Sequence, residues 1–211
     1  MPKNKAFLHR QTRRYMQRRV DALPIRQRFL IVCEGEKTEP NYFQRFRVPQ
    51  VVVQVEGLGM NTVSLVQRAI ELREQDDYDQ TWCVFDKDDF LDENFNAAIA
   101  VARNNGIGVA YSNQSFELWY VLHFDYMKSA ITREDYMRIL DKKLGHKYEK
   151  NSTNIYAELR DSQTTAIRNA RQLLNEYHPS KPAKDDPSTT VHLLVELLVK
   201  FSVVAQKQVT E

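Results

Sequence analysis

The sequence predicts an α/β fold: a mainly parallel sheet flanked by helices, with a helical C-terminal extension. Three observations carry that expectation. Short apolar or β-branched runs alternate with helical stretches of about ten residues from 28 to 124, the pattern of βαβ units. Acidic residues gather just after two of those runs, at the carboxyl ends of strands where parallel sheets hold their ligands. Past about residue 125 the strand signals stop, and helical patterns remain at 133–143, 163–177 and 188–206.

Each element follows from its residues. Positions 1–28 form a basic arm, with nine Lys and Arg against one acid, Asp21; the rest of the chain carries 21 basic and 27 acidic residues. The first strand is 28–33. A helix at 38–46 follows, with Thr38 as N-cap and Pro40 in the first turn, where its missing N–H is not needed. The β-branched run 51–55 is the second strand. Asn61-Thr62 opens a helix to 74, with Val63, Val66 and Ile70 at helical spacing. Strand three is 81–85. The helix 93–104 closes on Asn105-Gly106, strand four is 107–111, and 115–124 turns from strand to helix. The α/β core is thus 29–125. Residues 126–211 pack on it as helices, interrupted at His178-Pro179-Ser180-Lys181-Pro182. The last helix, 191–204, is apolar on more than one face, as a cover for the sheet or a docking surface would be.

Composition narrows the partners. With 42% hydrophobic and 10% aromatic residues the chain can bury an ordinary globular core. No apolar run approaches the roughly 18 residues of a membrane span, and no signal-like apolar region follows the basic start, so no membrane partner is expected. Cys33 and Cys83 sit inside apolar runs and form no disulfide framework, which fits a reducing cytoplasm. A basic arm on an acidic body is the footprint of polyanion binding. Arg13, Arg14, Arg18 and Arg19 are its expected nucleic-acid contacts; the rival reading is a solvated tail folded back on the acidic body.

The chemistry concentrates in two stretches. "IVCEGEKTEPNYF" (31–43) runs an apolar strand into Glu34, Glu36 and Glu39, and "WCVFDKDDF" (82–90) runs another into Asp86, Asp88 and Asp89. Crowded carboxylates repel one another and need a counter-charge such as a metal ion. In an extended segment Asp86 and Asp88 project the same way and offer two hard oxygen ligands. Glu34, on a neighbouring strand end, would be the third. Mg²⁺ (or Mn²⁺) suits such a site, since it takes one or two carboxylates and keeps waters for a phosphate substrate.

Glu-Gly after one strand and Asp-x-Asp after a later one resemble a Toprim domain, the metal-dependent fold of topoisomerases, primases and some nucleases. Over most of its length the chain resembles the RloB family, associated with restriction and phage defence. The matching pieces are the Arg-rich start, "VCEGEKTEPNYF" (33–43), "VFDKDD" (84–89), "SNQSFELWYVLHF" (112–124), "YEKN" (148–151) and "DPSTTVHLLVELL" (186–198). The fourth departs slightly, with Asn113-Gln114-Ser115 where the family usually has Pro or Cys in the middle. The resemblance implies a Toprim-like core, divalent-metal dependence and a role in phage defence. By motif matching it makes Glu34 the general acid/base and Asp86 and Asp88 the metal pair.

Other residues have weaker claims. Glu117 lies in an apolar run, where a charge is costly unless paired or metal-bound, so it is a further catalytic acid or a buried ion-pair partner. Lys37 and Lys150 are candidate phosphate contacts. Lys87 should face solvent, while Ser112 and Asn113 should face the crevice. His123 is more readily a structural residue than a catalyst. Gly57-Leu58-Gly59 is turn chemistry or a phosphate cradle. The leading function is a Mg²⁺-dependent nuclease acting on DNA or RNA. The alternative is a non-catalytic nucleic-acid-binding or effector module; any ATP dependence would need an ATPase partner, because the chain has no Walker A motif.

Overall fold

In the computed structural model, the described residues are 27–46, 51–57, 62–88 and 91–209. The arm that carries Arg13, Arg14, Arg18 and Arg19 lies outside them. The first strand, β1 (Gln27–Cys33), is fully buried from Phe29 to Cys33. Helix α1 (Thr38–Phe43) returns the chain to β2 (Val51–Gly57), which pairs parallel with β1. Helix α2 (Thr62–Gln75) then carries it across to β3 (Gln80–Asp86), on the other side of β1. Helix α3 (Asp92–Asn104) and β4 (Gly108–Asn113) extend the sheet in the same direction.

The sheet order is β2-β1-β3-β4-β5, with β5 (Ser188–Thr189) antiparallel to β4. The connections leave β1 first to one side and then to the other, so the topological switch lies between β1 and β3. Open parallel sheets bind ligands off the carboxyl ends at that switch. Glu34 follows β1 and Asp86 ends β3, so both acids stand there.

Strand alternation feeds two cores, as expected for a sheet covered on both faces. Leu30, Val32, Cys83, Phe85, Val109 and Tyr111 pack with Leu65, Val66 and Ala69 of α2 and with Phe95, Ala98 and Ile99 of α3. Phe29, Ile31, Cys33, Trp82, Val84 and Ala110 face the other way, onto α1 and the later helices. Those helices are α4 (Glu117–Val121), α5 (Arg133–Leu144), α6 (Ile155–Leu159), α7 (Gln163–Leu174) and α8 (Val191–Val209). Residues beyond 125 therefore complete the second layer of the same core. Among the described residues no helix is long and apolar enough to cross a membrane.

Several boundaries differ from expectation for local reasons. Lys37, not Thr38, is the N-cap of α1, without a side-chain cap; the Thr38 hydroxyl instead donates to the Lys150 carbonyl at 3.1 Å. That helix ends at Phe43. Residues 188–189 form the edge strand, and the last helix starts at Val191.

Candidate active site

Glu34 continues the β1–β3 ladder by one step, its N–H donating to the Val84 carbonyl at 2.9 Å. Its carboxylate therefore falls beside the end of β3. Oε2 accepts from the Asp86 N–H at 3.2 Å, and Oε1 accepts from the Thr62 hydroxyl at 3.4 Å. Asp86 Oδ2 accepts from the Phe116 N–H at 3.0 Å, while its buried Oδ1 has no hydrogen-bond partner. Phe116 is fixed beneath by an aromatic cluster: its ring packs on Tyr42, Phe43 and Tyr120, with centroids 5.3–6.0 Å apart. Such pairs add about 0.5–1.5 kcal/mol each beyond their burial. The apolar runs of α1 and α4 thus build the floor that aims Asp86.

Glu39 comes from α1 and is buried. Its carboxylate folds back onto Gly35, whose backbone N–H it accepts. A Cβ at position 35 would lie 2.3 Å from Glu39 Oε2, so only glycine permits this approach. Glu117 is also buried, at 2% exposure. It accepts from the Tyr148 hydroxyl at 3.2 Å, and Lys150 Nζ lies 3.9 Å away.

Asp88 has φ +42°, in the left-handed region, where Asp is tolerated better than most residues. The turn breaks the expected alternation of Asp86 and Asp88. The Asp88 carboxylate instead pairs with the Arg133 guanidinium at the start of α5. Lys87 consequently points inward: it is 8% exposed and bridges Asp92 Oδ1 at 3.2 Å, which corrects the expectation that it faces solvent.

These groups line one cavity of about 170 Å³, with Glu34, Glu39, Asp86, Asp88 and Glu117 against only Arg133 and Lys150. Burial pushes the Glu34 carboxyl up to about 7, and Glu39 adds to the shift against the opposing Asp86 amide. Burial first, then Glu39 and Glu117, raise Asp86 well above the usual carboxylate range. Glu39 is raised by burial and by Glu117. Without added positive charge, the fold therefore favours protonated carboxyls here.

The donor set fits a hard divalent cation. Asp86 Oδ1 and the Ser115 hydroxyl are both buried, unpartnered oxygens in the walls of this cavity. Among the described residues no group of three or more Asp, Glu, His or Cys side chains is already placed to hold a metal ion. Mg²⁺ does not need such a group, because it keeps several waters beside one or two carboxylates.

Glu34, Asp86, Asp88, Glu117 and Lys150 are thus brought together. Lys37 is exposed beside α1 and does not line the cavity. Ser112 and Asn113 do not face it either: Ser112 Oγ lies 3.1 Å from Thr189 Oγ1, and Asn113 donates to the Pro182 carbonyl at 3.2 Å. Ser112 thus ties β4 to its edge strand, and the Asn113 side chain ties β4 to the segment ahead of that strand. His123 is buried, donates Nδ1–H to the Trp119 carbonyl at 2.9 Å and stacks edgewise on that ring. Burial lowers its pKa to about 4, so it is a neutral core residue. Gly57 lies where a Cβ would meet the Gly35 carbonyl at 2.7 Å, a close approach of backbones; Leu58 and Gly59 are outside the described residues. Arg133 and Ser115 were not singled out in the sequence, and Glu39 stood there only as one acid of the run after the first strand. A basic residue in the first turn of a helix, against the macrodipole, was the signal that Arg133 offered.

No curated protein and no solved structure matches the chain. The model of one family, described as RloB-like protein, matches residues 29–198, from within β1 to within α8. The chain belongs to the RloB-like protein family.

Proposed function

We propose that the acidic cavity is the active site of a divalent-metal-dependent nuclease that hydrolyses phosphodiester bonds in DNA or RNA. The observation that carries this reading is Asp86 Oδ1, a buried carboxylate oxygen without a partner, beside Glu34 at the switch point of a parallel sheet. The strand order and the acids on β1 and β3 also support a Toprim-like reading of the core. Asp86 would hold the ion, with Asp88 and Glu34 contributing directly or through water. Bound there, Mg²⁺ or Mn²⁺ supplies Lewis-acid polarisation of phosphoryl oxygens and a more acidic water.

The chain's own groups supply the rest. Glu34, whose carboxylate reaches the end of β3 beside Asp86, is placed to take and return a proton at the reacting centre. Lys150 is half exposed at the cavity wall and presents a cation to a phosphate. The basic arm would add sequence-blind, salt-sensitive affinity for the polyanion. In the setting implied by the family resemblance, the nucleic acid cut during phage infection is the substrate.

The test is cleavage of labelled DNA and RNA by the purified full chain with Mg²⁺ or Mn²⁺. Because loss of even an outer-shell partner lowers metal-site activity about 10–100-fold, Asp86→Asn should reduce cleavage by at least about 100-fold. Undiminished activity in Asp86→Asn would remove this mechanism. Binding that survives EDTA, with no turnover in any metal, would favour the non-catalytic module working through a partner such as an ATPase.

A further inference from the structure

The Asp88–Arg133 ion pair stands at a boundary. On one side is the acidic cavity. On the other is a second cavity of about 250 Å³, lined by Asp88, Gln114, Thr132, Arg133 and Glu134. Asp88 and Arg133 line both, so their paired side chains form the partition between them. Each side chain is about one-third exposed, at 34% and 35%. Ion pairs part-open to water are individually weak, although Asp88 Oδ1, the oxygen that meets the guanidinium, is itself covered.

Arg133 itself is well held at its backbone. It is the first residue of α5, directly after Thr132, whose side chain and Asp135 form a reciprocal capping box. The anchor of the guanidinium is therefore fixed, while its tip rests on the Asp88 carboxylate. A planar guanidinium is also the side chain best matched to two oxygens of a phosphate.

We infer that Arg133 is a substrate-phosphate contact kept in reserve by Asp88. It neutralises Asp88 in the free protein and passes to a backbone phosphate when Asp88 is released, joining the two cavities into one groove for a nucleic-acid strand. The inference rests on the reading of the acidic cavity as a divalent-cation site. It adds a function for the C-terminal helical layer: α5 supplies the cation that both competes for Asp88 and grips the strand.

The test uses the full chain and two readouts other than cleavage. The first is Mn²⁺ affinity by calorimetry. Arg133→Gln should tighten Mn²⁺ binding about threefold to fivefold, the scale expected when an exposed ion-pair competitor is lost; Arg133→Lys, which keeps the charge, should stay near wild type. The second is binding of a single-stranded 12-mer, DNA and RNA in turn, in EDTA. Asp88→Asn should free Arg133 and tighten binding about threefold, and adding Arg133→Gln should abolish that gain and shallow the salt dependence by about one phosphate.

Unchanged or weaker Mn²⁺ binding in Arg133→Gln, or a gain in Asp88→Asn that survives Arg133→Gln, would overturn the inference. Asp86→Asn separates it from its premise. If the wild type binds Mn²⁺ and Asp86→Asn does not, the cation site stands and Arg133 is judged alone. If neither protein binds Mn²⁺, the premise and the inference fall together.

Discussion

Replacing Glu34 with Gln should stabilise the metal-free protein at alkaline pH while removing its activity. The sign follows from the raised carboxyl. Its folded pKa of about 7 exceeds the ordinary 4.5, so the folded state binds the proton more tightly. That stability is fully present below 4.5 and is lost as pH rises through 7. A shift from 4.5 to about 7 corresponds to about 3 kcal/mol at 1.36 kcal/mol per unit, trimmed to about 2–3 kcal/mol because the group is partly exposed. Gln imitates the protonated form. Its carbonyl oxygen can accept from the Asp86 N–H, and its NH₂ can face the Thr62 hydroxyl, the two contacts Glu34 makes. Thermal unfolding in EDTA is the assay. At about 2–4 °C per kcal/mol for a chain of this size, Glu34→Gln should melt roughly 4–12 °C above wild type at pH 8. At pH 4 the two should coincide, and Mn²⁺ at pH 8 should narrow the difference by stabilising the wild-type carboxylate. A variant that is no more stable at pH 8, or equally favoured at both pH values, would refute the reasoning.

Three further outcomes are expected. Tyr148→Phe removes the hydroxyl that donates to buried Glu117; urea unfolding should show a loss of about 1–3 kcal/mol, with reduced cleavage. Gly35→Ala places a methyl 2.3 Å from Glu39 Oε2 and should displace that carboxylate, lowering kcat by about tenfold or more with a far smaller change in urea midpoint. The His123 ring, held neutral with a pKa of about 4, should show no NMR titration between pH 8 and about 5.5, and any limb of the pH–rate profile in that range should survive His123→Gln.

Much of the core could be read directly because its signals are local. Apolar runs such as Phe29–Cys33 and Trp82–Phe85 end in acids, and a parallel sheet makes the meaning of a strand's carboxyl end general. The places of Glu34 and Asp86 at neighbouring strand ends follow that way. Lys87 was misjudged, and so was the shared projection of Asp86 and Asp88: the expectation assumed extended backbone through 86–88, but Asp88 has a positive φ and meets Arg133, while Lys87 is buried against Asp92. Ser112 and Asn113 were assigned to the crevice because the two-residue strand Ser188–Thr189 carries no pattern of its own. It claims Ser112 from far along the chain. Arg133 was missed for a similar reason. It is 45 residues from its partner Asp88, in a helix whose sequence speaks only of capping. In the sequence Glu39 is only one acid of the run after the first strand, and it is the glycine at position 35 and the fold-back of its carboxylate that make it part of the cavity.

Crystals of the full chain soaked in Mn²⁺ and measured at the manganese edge test the central claim most directly. An anomalous peak should lie about 2.1 Å from Asp86 Oδ1, with Glu34 or Asp88 reaching it directly or through water, and it should vanish in Asp86→Asn. A cleavage-competent protein with no ion at Asp86, or with its ion bound elsewhere, would contradict the account.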